Sequence, residues 1–360
     1  MGVYEYYDPD EGSIVYHVVP SPEPQNEAST IWSESESMMS GTTIRSDEVS
    51  SYFESHHGRP QFANNRIARW VPPDNIRRHI LWHLVSKWVL GGDYMGPVPR
   101  ILAPIPGKIH NVLELGTRTG TWIQSMTAEF PHVRFRTLDL APVMAHVPRR
   151  NVVFEVYDFT KGIMLDDNSQ DAVFLHGLAI IAKDYHYLLR EVHRVLRPGG
   201  LIHAVDFSPN VWDSKNEAII ARQTNPKTCH HLQLMQEYLT SVGIDPEICP
   251  KLPELLRPSS ALWDHDSVEI MGFESVRLVT KTYPLHPHPG FPCADKLDPT
   301  FAEFAAHLAI ISIRDMVGIV KDRRVTDQEA EQVVEDAVAE LKQPDKCSLG
   351  KIYCVYAIKI

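Results

Sequence analysis

The residues best suited to chemistry stand at three successive strand ends. Glu114 closes the apolar run 111–115 and leads into Gly116-Thr117-Arg118-Thr119-Gly120-Thr121-Trp122. Glycines in such a loop let the backbone turn sharply and approach a ligand closely. The two glycines are spaced G-x-x-x-G, whereas a dinucleotide fold wants G-x-G-x-x-G so that pyrophosphate rests on a helix N-terminus. Glu114 beside the loop would repel a pyrophosphate and suits a cationic ammonium instead. Asp139 follows a second strand, 23 residues after Gly116, where an acid can accept both hydroxyls of a ribose. Asp158 follows a third, in Val156-Tyr157-Asp158-Phe159, placed to accept from an adenine amino group while Phe159 flanks the ring. A lone Asp after a strand is more often a turn former or helix cap. Three acids on the edge where open α/β sheets bind ligands make a site the better reading. S-adenosyl-L-methionine, a nucleoside with a cationic methionine end, presents the groups these residues ask for.

Positioning them takes an alternation of strands and helices. Strands are predicted over 111–115, 133–138, 152–156, 172–175 and 201–205, with helices over 121–129 and 185–196. This alternation implies a parallel, doubly wound sheet. A helix over 74–90 is bounded by Asp74 as cap and Gly91-Gly92 as stop, with Ile76, Ile80, Leu84 and Trp88 as its apolar stripe. Helices follow over 210–260, notably 231–242. Alternating runs at 275–283 and 351–358 read as strands, with helices at about 298–321 and 326–342 between them. The domains expected are an acidic, mostly disordered tail at 1–60, a helical cap at 61–110, a core at 111–208, a helical lid at 209–262, and the last two strands with an inserted helical pair at 263–360.

Val112-Leu113-Glu114-Leu115-Gly116-Thr117-Arg118-Thr119-Gly120 resembles the first motif of class I methyltransferases, and Arg194-Val195-Leu196-Arg197-Pro198-Gly199-Gly200 resembles their turn before the fifth strand. Leu138-Asp139-Leu140-Ala141-Pro142 and Asp167-Asn168-Ser169-Gln170-Asp171 resemble elements of the fungal LaeA-like methyltransferases, as does Trp70-Val71-Pro72-Pro73-Asp74. The match covers about 60–360, most closely 110–207. The resemblance implies a Rossmann-like, seven-stranded, mostly parallel sheet ending in an antiparallel hairpin. It places Glu114, Gly116 and Gly120 at the methionine end of S-adenosyl-L-methionine, Asp139 at the ribose and Asp158 with Phe159 at the adenine, with Thr117 and Leu140 also at the cofactor. Three residues depart from the family pattern: Arg118 replaces the middle glycine, Gln170 a Phe, and His176 an Arg.

Methyl transfer needs alignment above all, and a base only where the acceptor must lose a proton early. His176, at the end of the fourth strand, is the candidate base; His203, inside the fifth, reads as a core residue. Cys229-His230-His231 and His286-Pro287-His288 with Cys293 match no zinc spacing, so no metal is expected. Trp212, Leu234, Met235 and Tyr238 give the lid an apolar, aromatic character suited to a hydrophobic small molecule.

The net charge is −11 over 360 residues, and 1–60 hold eleven acidic against two basic residues, so that segment carries −9 of it. An acidic tail on a near-neutral body excludes the basic footprint of a nucleic-acid binder. Five cysteines at irregular spacing fit reduced thiols in the cytoplasm or nucleus. The N-terminus has no basic start followed by an apolar core, Tyr6 breaks a myristoylation motif, and no run is long enough to span a membrane. The expected activity is methylation of a small, hydrophobic secondary metabolite. The alternative, implied by the LaeA resemblance, is regulation of secondary metabolism through velvet-type partner proteins with little methyl transfer.

Overall fold

The computed structural model describes residues 2–8, 13–19, 46–70, 72–144, 146–147, 149–263, 271–295 and 297–360. Two antiparallel hairpins come first: Gly2–Asp8 (β1) with Ser13–Val19 (β2), and Phe53–His56 (β3) with Arg59–Phe62 (β4). A mostly disordered tail was expected over 1–60, and both ends of that segment hold paired strands. Main-chain pairing makes a hairpin without the apolar content that a core requires. The Ser-, Glu- and Pro-rich stretch 20–45 lies outside the described residues, as does Asp264-His265-Asp266.

The central sheet carries five parallel strands in the order β9-β8-β5-β6-β7: Leu196–Phe207, Gln170–His176, His110–Leu115, Val133–Asp139 and Val152–Val156, the numerals following chain order. Antiparallel to β9 runs Ser348–Lys359 (β12), which pairs on its far side with Phe273–Pro284 (β11) and, at Ser348 and Leu349, with the two-residue strand Trp212–Asp213 (β10) opposite β11. The seven expected strands and the final antiparallel pair are thus present, with β10 as a short eighth. All seven residues of β8 are buried, as a central parallel strand covered on both faces requires. Strand order reverses between β5 and β8, so their carboxyl ends flank the crevice where such sheets take ligands.

Helix Ile76–Leu90 (α1) starts at Asn75, whose side chain accepts from the Arg78 amide, and not at Asp74. It ends at Gly91, whose left-handed φ of 83° closes the last turn. The expected stripe is not the buried one. Ile80 is 38% and Trp88 49% exposed, while Leu81 and Val85 are buried together with Arg78, His79 and His83. The helix turns these polar groups inward because they face the site, and that hides the buried face from a hydrophobic pattern. Thr121–Glu129 (α2) and Tyr185–Val195 (α3) lie where predicted.

The lid differs from the expected 209–262. Pro226–Ser241 (α4) packs with the C-terminal helices Pro299–Asp315 (α6), Val317–Lys321 (α7) and Asp327–Leu341 (α8) through Met235, Leu239, Ile313, Met316, Val334 and Val338. Ile248–Leu256 (α5) instead joins the main core beside the sheet through Ile248, Leu252 and Leu256. No helix among the described residues is long and apolar enough to cross a membrane.

Candidate functional site

The loop after β5 is built around two left-handed glycines. Gly116 has φ 91°, and a Cβ there would stand 3.0 Å from the His176 carbonyl oxygen. Its amide donates to Leu138 O, which ties the loop to the end of β6. Gly120, φ 68°, caps α2 and leaves no room for a side chain beside His146. Between them Arg118 takes φ 52°, an uncommon conformation for a residue with a Cβ. Its amide donates to Asp139 Oδ2 at 2.6 Å, while Asp139 Oδ1 accepts from Leu140 N at 2.7 Å. Burial pushes the Asp139 carboxyl up to about 6 against these two amides.

The Arg118 side chain runs back across the crevice. Its guanidinium lies 4.6 Å from the centre of the Trp82 ring and donates to Gly177 O at 3.1 Å. Burial lowers its pKa, opposed by Asp206, Asp139 and Glu114, three carboxylates around one cation. Arg118, Trp82, His79 and Gly116 are shared walls of two cavities. The larger, of about 200 Å³, is bordered by Asp139, Leu140, Phe159, Gly177 and Asp206 and roofed by Trp70, Met235, Leu308 and Met316. The smaller, of about 30 Å³, is bordered by Glu114, Thr117, His83, Trp122 and His176.

The predicted residues therefore divide. Asp139, Leu140 and Phe159 meet at the larger cavity, Glu114 and Thr117 at the smaller, and Gly116 at both. Glu114 accepts from Thr137 Oγ1 at 2.6 Å, and Thr117 Oγ1 lies 2.5 Å from the same Thr137 oxygen. Asp158 borders neither cavity. It caps its own turn by accepting from Thr160, and pairs with Lys161 at 3.1 Å. Burial works to raise its pKa, but hydrogen bonds from Thr160, Lys161 and Asn64 hold it below the usual range. The bland reading of an Asp after a strand wins here.

His176, the candidate base, borders the smaller cavity and is engaged by Glu114. Its Nδ1 is 3.1 Å from Glu114 Oε1, and its ring packs against Trp122 at 4.6 Å. Burial lowers the His176 pKa to about 3 and raises that of Glu114 to about 8. Both shifts disfavour the charged forms, so the contact is a buried hydrogen bond whose donor depends on the imidazole tautomer. His203 is a core residue as expected, its Nε2 accepting from Met95 N. His231 and His288 spend their Nε2 atoms on the carbonyls of Ile313 and Leu341.

Asp206, at the end of β9, was missed by the sequence reading although it repeats the strand-end acid pattern of Asp139. Burial pushes it up to about 7 against the Ala179 amide and Arg118. Arg78 was missed too. It is fixed by Asp315 at 2.8 Å and Pro72 O at 2.6 Å, which joins the cap to α6 beside the larger cavity.

A family model described as a methyltransferase domain matches residues 112–200, the stretch that holds the glycine loop, Asp139 and β8. Residues 112–200 thus carry a methyltransferase domain. The chain takes S-adenosyl-L-methionine as its cofactor. It is 24% identical over 251 residues to the secondary metabolism regulator laeA of Coprinopsis cinerea, covering 68% of this chain and 58% of that protein. It is 28% identical over 160 residues to the methyltransferase pytC of Aspergillus terreus, covering 40% of this chain and 49% of that one. The chain thus spans about half to three fifths of the length of these curated relatives. Among solved structures, phosphoethanolamine N-methyltransferase 2 of Haemonchus contortus in complex with S-adenosyl-L-methionine aligns at a TM-score of 0.38 and 16% identity, covering 76% of this chain and 56% of that one.

Proposed function

We propose that this chain methylates a small, largely apolar secondary metabolite. The observation that carries the reading is the larger cavity, where a carboxylate edge at Asp139 and Asp206 meets a roof of Trp70, Met235, Leu308 and Met316. A pocket with few polar groups in an apolar enclosure suits a hydrophobic ligand. The same enclosure favours an enzyme over a regulator acting through partners alone.

The donors present fit the cofactor. Asp139 spends one acceptor site per oxygen on backbone amides, so its remaining lone pairs can take a ribose diol. Leu140 and Phe159 offer an apolar bed for the purine. Glu114, buttressed by Thr137 and Thr117, faces the methionine end, where Gly116 leaves room for close approach. Arg118, at the shared wall, supplies the cation for the methionine carboxylate once its guanidinium leaves Gly177 O. The cofactor, when bound, brings a sulfonium-activated methyl group. The chain's own part is to align the acceptor and exclude water. Asp206, which burial raises to about 7 at the cavity edge, takes the proton of an acceptor O–H or N–H and passes it to solvent.

Calorimetric titration with S-adenosylmethionine and S-adenosylhomocysteine tests the reading. Wild type should bind in the micromolar range, and Asp139→Ala should weaken binding at least about tenfold, or about 1.4 kcal/mol. No binding by folded wild type would sink the enzyme reading. With binding established, Asp206→Asn should keep cofactor affinity and lose turnover of any apolar acceptor found by screening.

A further inference from the structure

Three metal-capable side chains from distant parts of the chain converge away from the cavity. His56 ends β3, His57 begins the turn to β4, and Asp322 follows α7. Both imidazole Nε2 atoms lie 2.9 Å from the same oxygen, Asp322 Oδ1. The rings stand 4.3 Å apart. His57 has φ 49° and Gly58 φ 77°, the paired positive angles of a tight hairpin turn, where Asn, Asp or Gly is the ordinary occupant. The uncommon His there puts its ring beside that of His56 and turns both toward one carboxylate. On α7 the residue next to these rings is Gly318, whose missing Cβ would stand 3.6 Å from His56 Nδ1.

As a plain ion pair this arrangement is poor. Charging both imidazoles sets like charges side by side, and charging one leaves the other competing for the same oxygen. A divalent cation among the three groups satisfies all of them. Two imidazoles and a carboxylate are a ligand set for zinc, whose remaining position water can fill. The side chains are 30%, 33% and 38% exposed, so water has access. Ligand atoms of a tetrahedral site stand roughly 3.3 Å apart for metal–ligand bonds of about 2.05 Å. The 2.9 Å separations need spreading by a few tenths of an ångström, within the freedom of exposed side chains.

We propose that His56, His57 and Asp322 form a zinc clip that fastens the β3–β4 hairpin to the lid. Its two ends already meet at a second point, where Arg59 reaches Asp315 at 3.3 Å. Phe62 of the hairpin and Met316 before α7 both border the larger cavity, so the clip braces the cavity wall.

The test is titration of the chelator-stripped full chain with zinc chloride, read by calorimetry and thermal melting. One equivalent should bind in the micromolar range and raise the melting temperature. His56→Gln, His57→Asn and Asp322→Asn should each weaken binding at least about tenfold, the Asn at 57 keeping the left-handed turn. Cobalt should bind the same site without a thiolate charge-transfer band. Cys293→Ser should leave the affinity unchanged, which separates the clip from the thiols of Cys293 and Cys347, 2.7 Å apart. Absence of zinc binding, binding that survives Asp322→Asn and His57→Asn, or a thiolate band would each overturn the proposal.

Discussion

Arg118 decides how the site works at the scale of single residues. A guanidinium fenced by Glu114, Asp139 and Asp206 can act as a plug or as a handle for the cofactor carboxylate. The two roles give opposite results in Arg118→Ala. As a handle, its loss should weaken S-adenosylhomocysteine at least about tenfold and leave 5′-methylthioadenosine, which has no carboxylate, nearly unchanged. Tighter binding of both by calorimetry would make Arg118 a plug. Glu114, Gly116 and Asp139, singled out in the sequence by loop geometry and acid position, all stand at the cavities. His176 meets Glu114, 62 residues away in the chain, a contact that leaves no local pattern, whereas Asp158 accepts from Thr160 two residues on, the turn-forming alternative that the sequence already offered. Asp206 was legible by the same strand-end rule and was passed over because it follows a strand outside the first three.

At the scale of elements, strand and helix positions were readable from alternation and caps, while the buried face of α1 was not. Periodicity finds the stripe with the most apolar residues, and on α1 that stripe is not the one the fold covers. The buried side carries Leu81 and Val85 among Arg78, His79 and His83, and packs on Phe301, Ala305 and Leu308 of α6. Truncating Leu81 to Ala removes fully packed methyl groups and should cost about 2–5 kcal/mol. Ile80→Ala, on the exposed side, should stay within about 0.5 kcal/mol. Chemical denaturation of the two variants distinguishes the faces. Equal losses would mean that the helix is rotated from the orientation described here. The lid was likewise half legible: α4 was foreseen, but its partnership with α6 to α8 joins segments some 70 residues apart.

Across the whole molecule, buried titratable groups set how stability depends on pH. Burial lowers His79 to about 2, His176 and His203 to about 3, and His83, His146, His193 and His231 to about 4. A histidine depressed in the fold binds protons more readily when unfolded. Its contribution is therefore present above the unfolded value of about 6.5 and lost as pH falls toward the folded value. Burial raises Asp139 to about 6, Asp206 to about 7 and Glu114 to about 8. These acids contribute the opposite sign, with stability present near pH 4 and lost as pH rises through their folded values. Between about pH 4 and 6.5 the seven histidines outweigh the three acids. Above that only Asp206 and Glu114 still titrate, so stability should peak near pH 6.5 and decline on both sides. Glu114→Gln keeps an uncharged acceptor for Thr137 and removes one acid from the balance. Relative to wild type its melting temperature should rise steadily from about pH 4.5 and level off above about pH 8. A difference between the two proteins that stays flat across that range would show that Glu114 is ionised in the fold.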